Sequence, residues 1–134
     1  MRGLIEIAVV ALGGAIGASL RYGVGRVLHA SLREHTLALP SATLLVNVVG
    51  CFAIGAILPW MLAREGDGAA AHARLLLVVG LLGGLTTYSA FGFEAISIWR
   101  EGRSAIAIGY VALHMVLGFA AVGLGVLIGE RVIA

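Results

Sequence analysis

Polar side chains that can hydrogen-bond to an ion lie inside apolar stretches of this sequence. Residues 83–91 contain two threonines, a tyrosine and a serine, and they belong to an uncharged run at residues 75–93. Asn47 lies within a second uncharged run, with Thr43 one helical turn earlier. A polar side chain at membrane depth is costly unless it faces protein or water. These side chains therefore predict either hydrogen bonds between helices or a polar path for a solute.

The glycine-rich part of the run at residues 75–93 is poorly suited to a regular helix. It contains Gly80, Gly83 and Gly84, and each glycine costs roughly 1 kcal/mol relative to alanine in a helix interior. Two β-branched threonines follow, so we expect a break at residues 83–87. Non-helical backbone at this depth survives only inside protein or beside water, where its carbonyls commonly bind cations. The alternative is a small-residue packing face followed by core aromatics.

The composition places these residues in an integral membrane protein. Of the 134 residues, 60% are hydrophobic, and the mean hydropathy is +1.05. Four spans of roughly 20 residues account for the chain and leave no room for a soluble domain. We expect one all-α membrane domain with four helices, at about residues 3–28, 39–62, 75–99 and 104–129. Nine arginines are scattered singly, which argues against a nucleic-acid partner.

Polar connectors at residues 29–38 and 64–74 follow the first two expected spans.

The first span has a basic start that resembles a signal peptide, but its glycines and its continuation through Arg21 argue against cleavage. Gly13 and Gly17 predict a close-packing face. Arg21 either snorkels to the lipid headgroups or lies at the mouth of an aqueous path, where it would attract anions.

The fourth span places Tyr110, His114 and Gly118 on one helix face, at intervals of four residues. A histidine in such a position is more often neutral and hydrogen-bonded to a neighbouring helix than a proton carrier. We expect the same of His114. Glycines in this span would let another helix approach closely; they are Gly118, Gly123, Gly125 and Gly129.

Residue patterns typical of enzymes are missing from the sequence. There is no cofactor motif, no pair of carboxylates and no Cys/His metal spacing, and Ser89 has no convincing base nearby in sequence. The single cysteine, Cys51, is expected to pack as a small hydrophobe. We therefore expect a protein that is not an enzyme.

Three separated segments resemble the signature segments of the Fluc (CrcB) fluoride channels. They are residues 13–22 (GGAIGASLRY), 42–50 (ATLLVNVVG) and 80–91 (GLLGGLTTYSAF). The resemblance covers the whole chain in length, number of spans and motif order. It implies a passive, fluoride-selective channel in the bacterial plasma membrane that lowers cytoplasmic fluoride. It also implies an antiparallel, dual-topology homodimer surrounded by lipid, with two pores along its interface.

The resemblance further implies roles for individual residues. Backbone carbonyls of Gly83 and Thr86 from each subunit would hold a structural sodium ion at the dimer centre. The pore would be lined by Tyr88 and Phe91, with Asn47 as a hydrogen-bond donor to fluoride. Other candidates are Thr43, Thr87, Ser89, Tyr110 and His114 on the fluoride path and Arg21 near the entrance vestibule.

The chain departs from the family pattern at several positions. The first aromatic is usually phenylalanine and here is Tyr88, and the residue before Phe91 is usually threonine and here is Ala90. Two fourth-span positions that are often serine are His114 and Gly118. These changes concern which groups form the polar path, and they leave the expected architecture intact. Glu94 lies where the family motif also tends to place a glutamate.

Uncharged donors suit a small, tightly hydrated anion that must bind and leave again. Amide, threonine and tyrosine groups can donate, as at Asn47 and Tyr110, and the positive edge of the Phe91 ring can face an anion. Weak donors admit the ion without trapping it. A sodium ion would offset part of the cost of dehydrating fluoride and hold the two broken helices together.

Two other functions are compatible with four short spans. A small multidrug-resistance-like, proton-coupled exporter would require a carboxylate in the middle of the first span. Glu6 lies too close to the N-terminus for this, and residues 7–20 contain no acid. A membrane assembly subunit without transport activity would explain the glycines, but not the combination of Asn47 with the motif at residues 83–87.

Arginines are divided almost evenly between the two sides of the expected four-span topology. One side carries Arg2, Arg64, Arg74 and Arg131, and the other carries Arg26, Arg33, Arg100, Arg103 and, at the end of its span, Arg21. The free N-terminal amine could cancel the extra charge of Arg21. Orientation in the membrane follows the Lys/Arg bias of short loops, so this chain is expected to insert in both orientations.

Overall fold

The structure, a computed structural model, describes residues 2–31, 41–64 and 66–133. All regular secondary structure in these ranges is helical, in agreement with the expected all-α class. The helices are α1 (Arg2–Ser31), α2 (Ser41–Leu62), α3 (Gly68–Arg74), α4 (Gly83–Leu85), α5 (Tyr88–Arg100) and α6 (Ser104–Ile133), and a π-helical segment (Leu75–Leu82) joins α3 to α4. Four helical stretches are long and apolar enough to cross a membrane: Gly3–Ala30, Ser41–Leu62, Gly68–Arg100 and Ser104–Val132.

The third helical stretch begins seven residues before the expected position, at Gly68. The Asp67 side chain accepts a hydrogen bond from the Ala69 N–H at 2.8 Å and so caps the first turn of α3. Alanines at positions 69–71 then favour the helix. The connector expected at residues 64–74 is thus helical over most of its length.

The connector expected at residues 29–38 begins later than the sequence indicated, because α1 continues to Ser31. The rest of that connector lies outside the described residues, as do the first two positions of the predicted second span. The described part of that span, α2, ends at Leu62 as expected.

Glycines bring α1 and the π-helical segment into backbone contact. A Cβ on Gly13 or Gly17 would overlap the carbonyl oxygen of Leu76 or of Leu81. From the other side, a Cβ on Gly80 would lie 2.8 Å from the Val10 carbonyl oxygen. The predicted close-packing face on the first span is therefore confirmed.

Helices α2 and α6 pack closely along their length, again through glycine. A Cβ on Gly125 would overlap the Phe52 carbonyl oxygen, and one on Gly129 would lie 2.5 Å from the Ala56 carbonyl oxygen. Of the other two glycines expected at this contact, Gly118 faces only the Cys51 Sγ at 3.7 Å, and Gly123 has no neighbouring atom within 4 Å. Two of the four predicted glycines therefore meet the backbone of α2, one meets only a side chain of α2, and one meets no neighbouring atom.

This difference between two nearby glycines gives a matched test of the packing. Gly125→Ala places a methyl group against the backbone of α2, and such overpacking costs roughly 1–3 kcal/mol. We expect a clearly lower midpoint of thermal unfolding in detergent for this variant. Gly123→Ala has space for the methyl group and should leave the midpoint unchanged or raised. Equal midpoints for the two variants would contradict the packing described here.

Thr86 and Thr87 separate α4 from α5 with extended backbone. Their φ and ψ angles are −82° and 156° for Thr86 and −153° and 117° for Thr87. The Thr87 hydroxyl accepts a hydrogen bond from the Ala90 N–H at 3.3 Å and caps α5. Gly83, which the sequence included in the break, is helical. Residues 86–87 therefore form an extended segment, called the Thr86–Thr87 segment below, within the third helical stretch.

Candidate functional site

Asn47 of α2 is hydrogen-bonded to the Thr86–Thr87 segment through both ends of its side-chain amide. Its Nδ2 donates to the Thr87 carbonyl oxygen at 3.1 Å, and its Oδ1 accepts from the Thr87 N–H at 2.8 Å. This is the interhelical hydrogen bonding that the sequence offered as one interpretation of Asn47. The amide carries two N–H donors, and the bond to Thr87 uses one of them.

The same hydrogen bonds remove the helical partners of two backbone carbonyls. In a continuous helix the Thr87 N–H would donate to the carbonyl of Gly83, and the Ala90 N–H to that of Thr86. Here the first N–H donates to Asn47 and the second to the Thr87 hydroxyl. Oxygen atoms of this kind are ligands for hard cations, so these two carbonyls have the chemistry that a sodium site requires.

A cavity of about 420 Å³ lies beside the Thr86–Thr87 segment, between α2, the π-helical segment, α5 and α6. Its polar and aromatic lining is Asn47, Thr86, Thr87, Tyr88, Phe91, His114 and Phe119, and its remaining lining is apolar or sulfur-containing. No arginine, aspartate or glutamate among the described residues lines it. The cavity can therefore offer uncharged donors and ring edges to a small solute.

The cavity brings together five of the residues that the sequence placed on a fluoride path, and it leaves others out. Asn47, Thr87, Tyr88, Phe91 and His114 line it. The predicted path residues that do not line it are Thr43, Ser89 and Tyr110, and the vestibule candidate Arg21 lies half-buried on α1. The sequence did not indicate the apolar and sulfur-containing lining residues, including Cys51 and Met115, because such side chains give no signal of a cavity.

Glu94 connects three helices by accepting two short hydrogen bonds. The Thr43 hydroxyl donates to its Oε1 at 2.7 Å, and the Tyr110 hydroxyl donates to its Oε2 at 2.7 Å. Because a tyrosine has a single O–H donor, Tyr110 is not arranged to donate to fluoride in this structure. The sequence assigned no role to Glu94, although a carboxylate in an apolar helix with hydroxyl residues on two other spans was a usable signal.

Phe91 lies at the centre of an aromatic cluster on one wall of the cavity. Its ring centroid is 5.8 Å from that of Tyr88, 5.8 Å from that of Tyr110 and 4.4 Å from that of His114. The Tyr110 and His114 rings meet edge-on at 4.5 Å. Phe91 is 7% exposed, whereas Tyr88 is 82% exposed. Tyr88 and Phe91 therefore lie on one side of α5 but differ in burial.

His114 is hydrogen-bonded to a carbonyl of its own helix. Its Nδ1 lies 3.2 Å from the Tyr110 carbonyl oxygen. A carbonyl only accepts, so Nδ1 carries the proton in the neutral ring and Nε2 carries the lone pair. Nε2 is buried and has no hydrogen-bond partner among the described residues. Within the described residues no neighbouring helix hydrogen-bonds to either ring nitrogen, so the expected partner is not found there.

Ser89 lies on the surface at the start of α5, with its hydroxyl 3.3 Å from that of Thr87. Either hydroxyl can be the donor. Thr87 lines the cavity and Ser89 does not, so the pair reaches from the cavity to the exposed surface beside Tyr88.

Comparison with known proteins identifies a family for this chain. The family model described as "CrcB-like protein, Camphor Resistance (CrcB)" matches residues 8–126. A "Fluoride-specific ion channel FluC" of Hyphomonas neptunium is 43% identical over 126 residues, which is 94% of this chain and 96% of that protein. Proteins of the same name are 46% identical over 119 residues in Rhizobium johnstonii (89% and 91% covered) and 45% identical over 125 residues in Chloroflexus aurantiacus (93% and 95% covered).

Proposed function

This chain belongs to the CrcB family, and we infer from that membership that it is a fluoride-specific ion channel and not an enzyme. The observation that carries this conclusion is the identity to relatives of that name over nearly the whole chain. With its four apolar helical stretches, it is a multi-pass protein of the bacterial plasma membrane. The proton-coupled exporter is not favoured by these relatives.

We propose that fluoride passes through the cavity beside the Thr86–Thr87 segment. The lining of the cavity supports this proposal. It includes the Asn47 amide, Thr87 and aromatic rings, and no acidic side chain among the described residues lines it. Fluoride would exchange water for one amide N–H and the positive edges of Tyr88 and Phe91. Each of these contacts is weak, so the ion can leave as well as enter.

The hydroxyls near Glu94 are proposed to continue this path beyond the cavity. In the structure Thr43 and Tyr110 donate to the Glu94 carboxylate from two sides, so they would donate to fluoride only when released from Glu94. Ser89 is proposed to extend the path from Thr87, because the two hydroxyls are 3.3 Å apart. Arg21 is proposed for the entrance, where an arginine at a helix end attracts anions.

We further propose that two copies of the chain form an antiparallel homodimer around a structural sodium ion. The proposal is supported by the diverted N–H groups of Thr87 and Ala90, which leave the Gly83 and Thr86 carbonyls without their helical donors. Gly83 and Tyr88 are both exposed in one copy. A second copy related by a two-fold axis in the membrane plane would cover this surface, and lipid would cover the remaining apolar surface. The sodium ion would add positive charge near the fluoride path.

Selective permeation is tested with liposomes loaded with equal concentrations of fluoride and chloride. We expect the reconstituted protein to release fluoride, with chloride released at least about tenfold more slowly, because a few fixed donors favour the smaller ion. Ion-selective electrodes measure both, and protein-free liposomes correct for leakage. Chloride release as fast as fluoride release would contradict selectivity, and proton-driven drug uptake without fluoride release would favour the exporter.

A further inference from the structure

His114 carries the one buried side-chain nitrogen or oxygen atom in the described part of the chain that has no hydrogen-bond partner. The residue is 6% exposed and lines the cavity. Its Nδ1 proton is directed to the Tyr110 carbonyl, which leaves the lone pair of Nε2 unsatisfied. A buried polar atom without a partner costs about 1–3 kcal/mol, so this position calls for a ligand or a proton.

Fluoride itself cannot satisfy a lone pair, because both are acceptors. A neutral His114 therefore offers no donor at Nε2 to an anion in the cavity. Adding a proton at Nε2 reverses this: the ring becomes a donor at both nitrogens and carries a positive charge. In a site of low dielectric constant, that charge acts on an anion across several ångströms without direct contact.

The groups around His114 allow this charge. On its own helix the facing titratable group is Tyr110, on α5 the groups are Glu94 and Tyr88, and on α2 the group is Cys51. The residues of the π-helical segment that line the cavity are not titratable. Burial of the ring disfavours the charged imidazolium, whereas the negative charge of Glu94, the one acid among these groups, favours it. None of the groups carries a positive charge that would oppose it.

We propose that His114 makes fluoride binding in this cavity proton-linked, so that one proton is taken up at its imidazole when fluoride binds. The inference rests on the proposed fluoride channel and adds a specific proton to it. By reciprocity, bound fluoride favours protonation and protonation favours fluoride by the same factor. With one proton per ion, the affinity for fluoride rises by up to about tenfold for each unit that the pH falls.

The test is the fluoride concentration that half-saturates the current through the reconstituted protein in planar bilayers, with equal pH on both sides. Current is the right measurement because uncharged hydrogen fluoride, which crosses lipid unaided, carries none. Between about pH 8 and about pH 5, where histidine titrates, we expect the half-saturating concentration to fall as the pH falls. We expect His114→Gln, which keeps a donor but cannot titrate, to show no such change.

A matched control is available in His72, which is exposed on α3 and makes the same hydrogen bond to a carbonyl four residues earlier, at 2.7 Å from Gly68. His72→Gln should retain the full pH dependence. As a measurement independent of transport, NMR of protein labelled at histidine should show one resonance moving toward the imidazolium form when fluoride is added at constant pH. That resonance should be missing from the spectrum of His114→Gln.

Several outcomes would overturn the inference. If the half-saturating concentration of the unmodified protein does not change with pH, the inference is wrong. This result is decisive even if the His114→Gln variant fails to fold. A pH dependence that persists in His114→Gln assigns the proton to Glu94 or another group. Absence of fluoride current at every pH is a different result, because it contradicts the proposed channel on which the inference depends.

Discussion

Asn47→Asp is expected to reduce fluoride flux at least about a hundredfold. The change replaces an amide that donates with a carboxylate that only accepts, at a position lining the cavity. Two like charges 4 Å apart repel by about 4 kcal/mol at an effective dielectric constant of 20, which corresponds to roughly a thousandfold in an equilibrium constant. The expected reduction in flux is smaller than this because the carboxylate and the fluoride ion can lie more than 4 Å apart. Flux is measured by fluoride electrode with reconstituted protein.

Two further variants separate the charge from the structural role of Asn47. Asn47→Asp loses the bond donated to the Thr87 carbonyl but can still accept from the Thr87 N–H. Asn47→Leu removes both hydrogen bonds and adds no charge, so it reports the effect of losing contact with the Thr86–Thr87 segment. Val49→Thr changes an exposed residue on the same helix that does not line the cavity, and it should retain normal flux. Size-exclusion profiles confirm that each variant is folded. Normal flux through folded Asn47→Asp would remove Asn47 from the proposed path.

The sequence predicted those parts of this structure that depend on one helix at a time. Length and hydropathy indicated four apolar helical stretches, and the spacing of Gly13 and Gly17 indicated where another backbone approaches α1. Side-chain spacing also placed Tyr88 and Phe91 together on α5. Each of these follows from the fixed geometry of a single helix.

The sequence did not predict features that depend on how helices are rotated against one another. Thr43 and Glu94 are 51 positions apart, and nothing in either segment indicates that their side chains meet. Tyr110 was expected to donate to fluoride, yet its hydroxyl donates to the same carboxylate. The π-helical segment was likewise missed, because its wider turns have no residue signature of their own.

Asn47 shows why two interpretations of one residue need not exclude each other. Its hydrogen bonds fasten α2 to the Thr86–Thr87 segment, and in doing so they take the Thr87 N–H away from the Gly83 carbonyl. The contact between helices thus prepares the proposed cation site, while the remaining amide N–H is available to the proposed anion path. A single side chain couples the two sites in the proposal.

Adding arginines to one loop is expected to abolish flux by forcing all copies of the chain into one orientation. The proposed antiparallel dimer needs both orientations, and the nearly equal arginine counts on the two sides, four against four or five, allow them. Glu101 and Ser104 are exposed at the turn between α5 and α6, and Glu101→Arg with Ser104→Arg adds two positive charges there. Gly102 is avoided because its φ of 78° disfavours other residues.

The opposite variant places two arginines at exposed positions of α3, Ala69→Arg with Ala71→Arg, on the other side of the membrane. Reporters fused to the C-terminus, one active only in the cytoplasm and one only outside, should both give signal for the unmodified chain. Each double variant should give signal with only one of the two reporters. The reporter that is active should differ between the two double variants. Each alone should lack fluoride flux, whereas co-expression of the two should restore it, because opposite orientations then pair. An unmodified chain found in a single orientation, or full flux through either double variant alone, would contradict the antiparallel dimer.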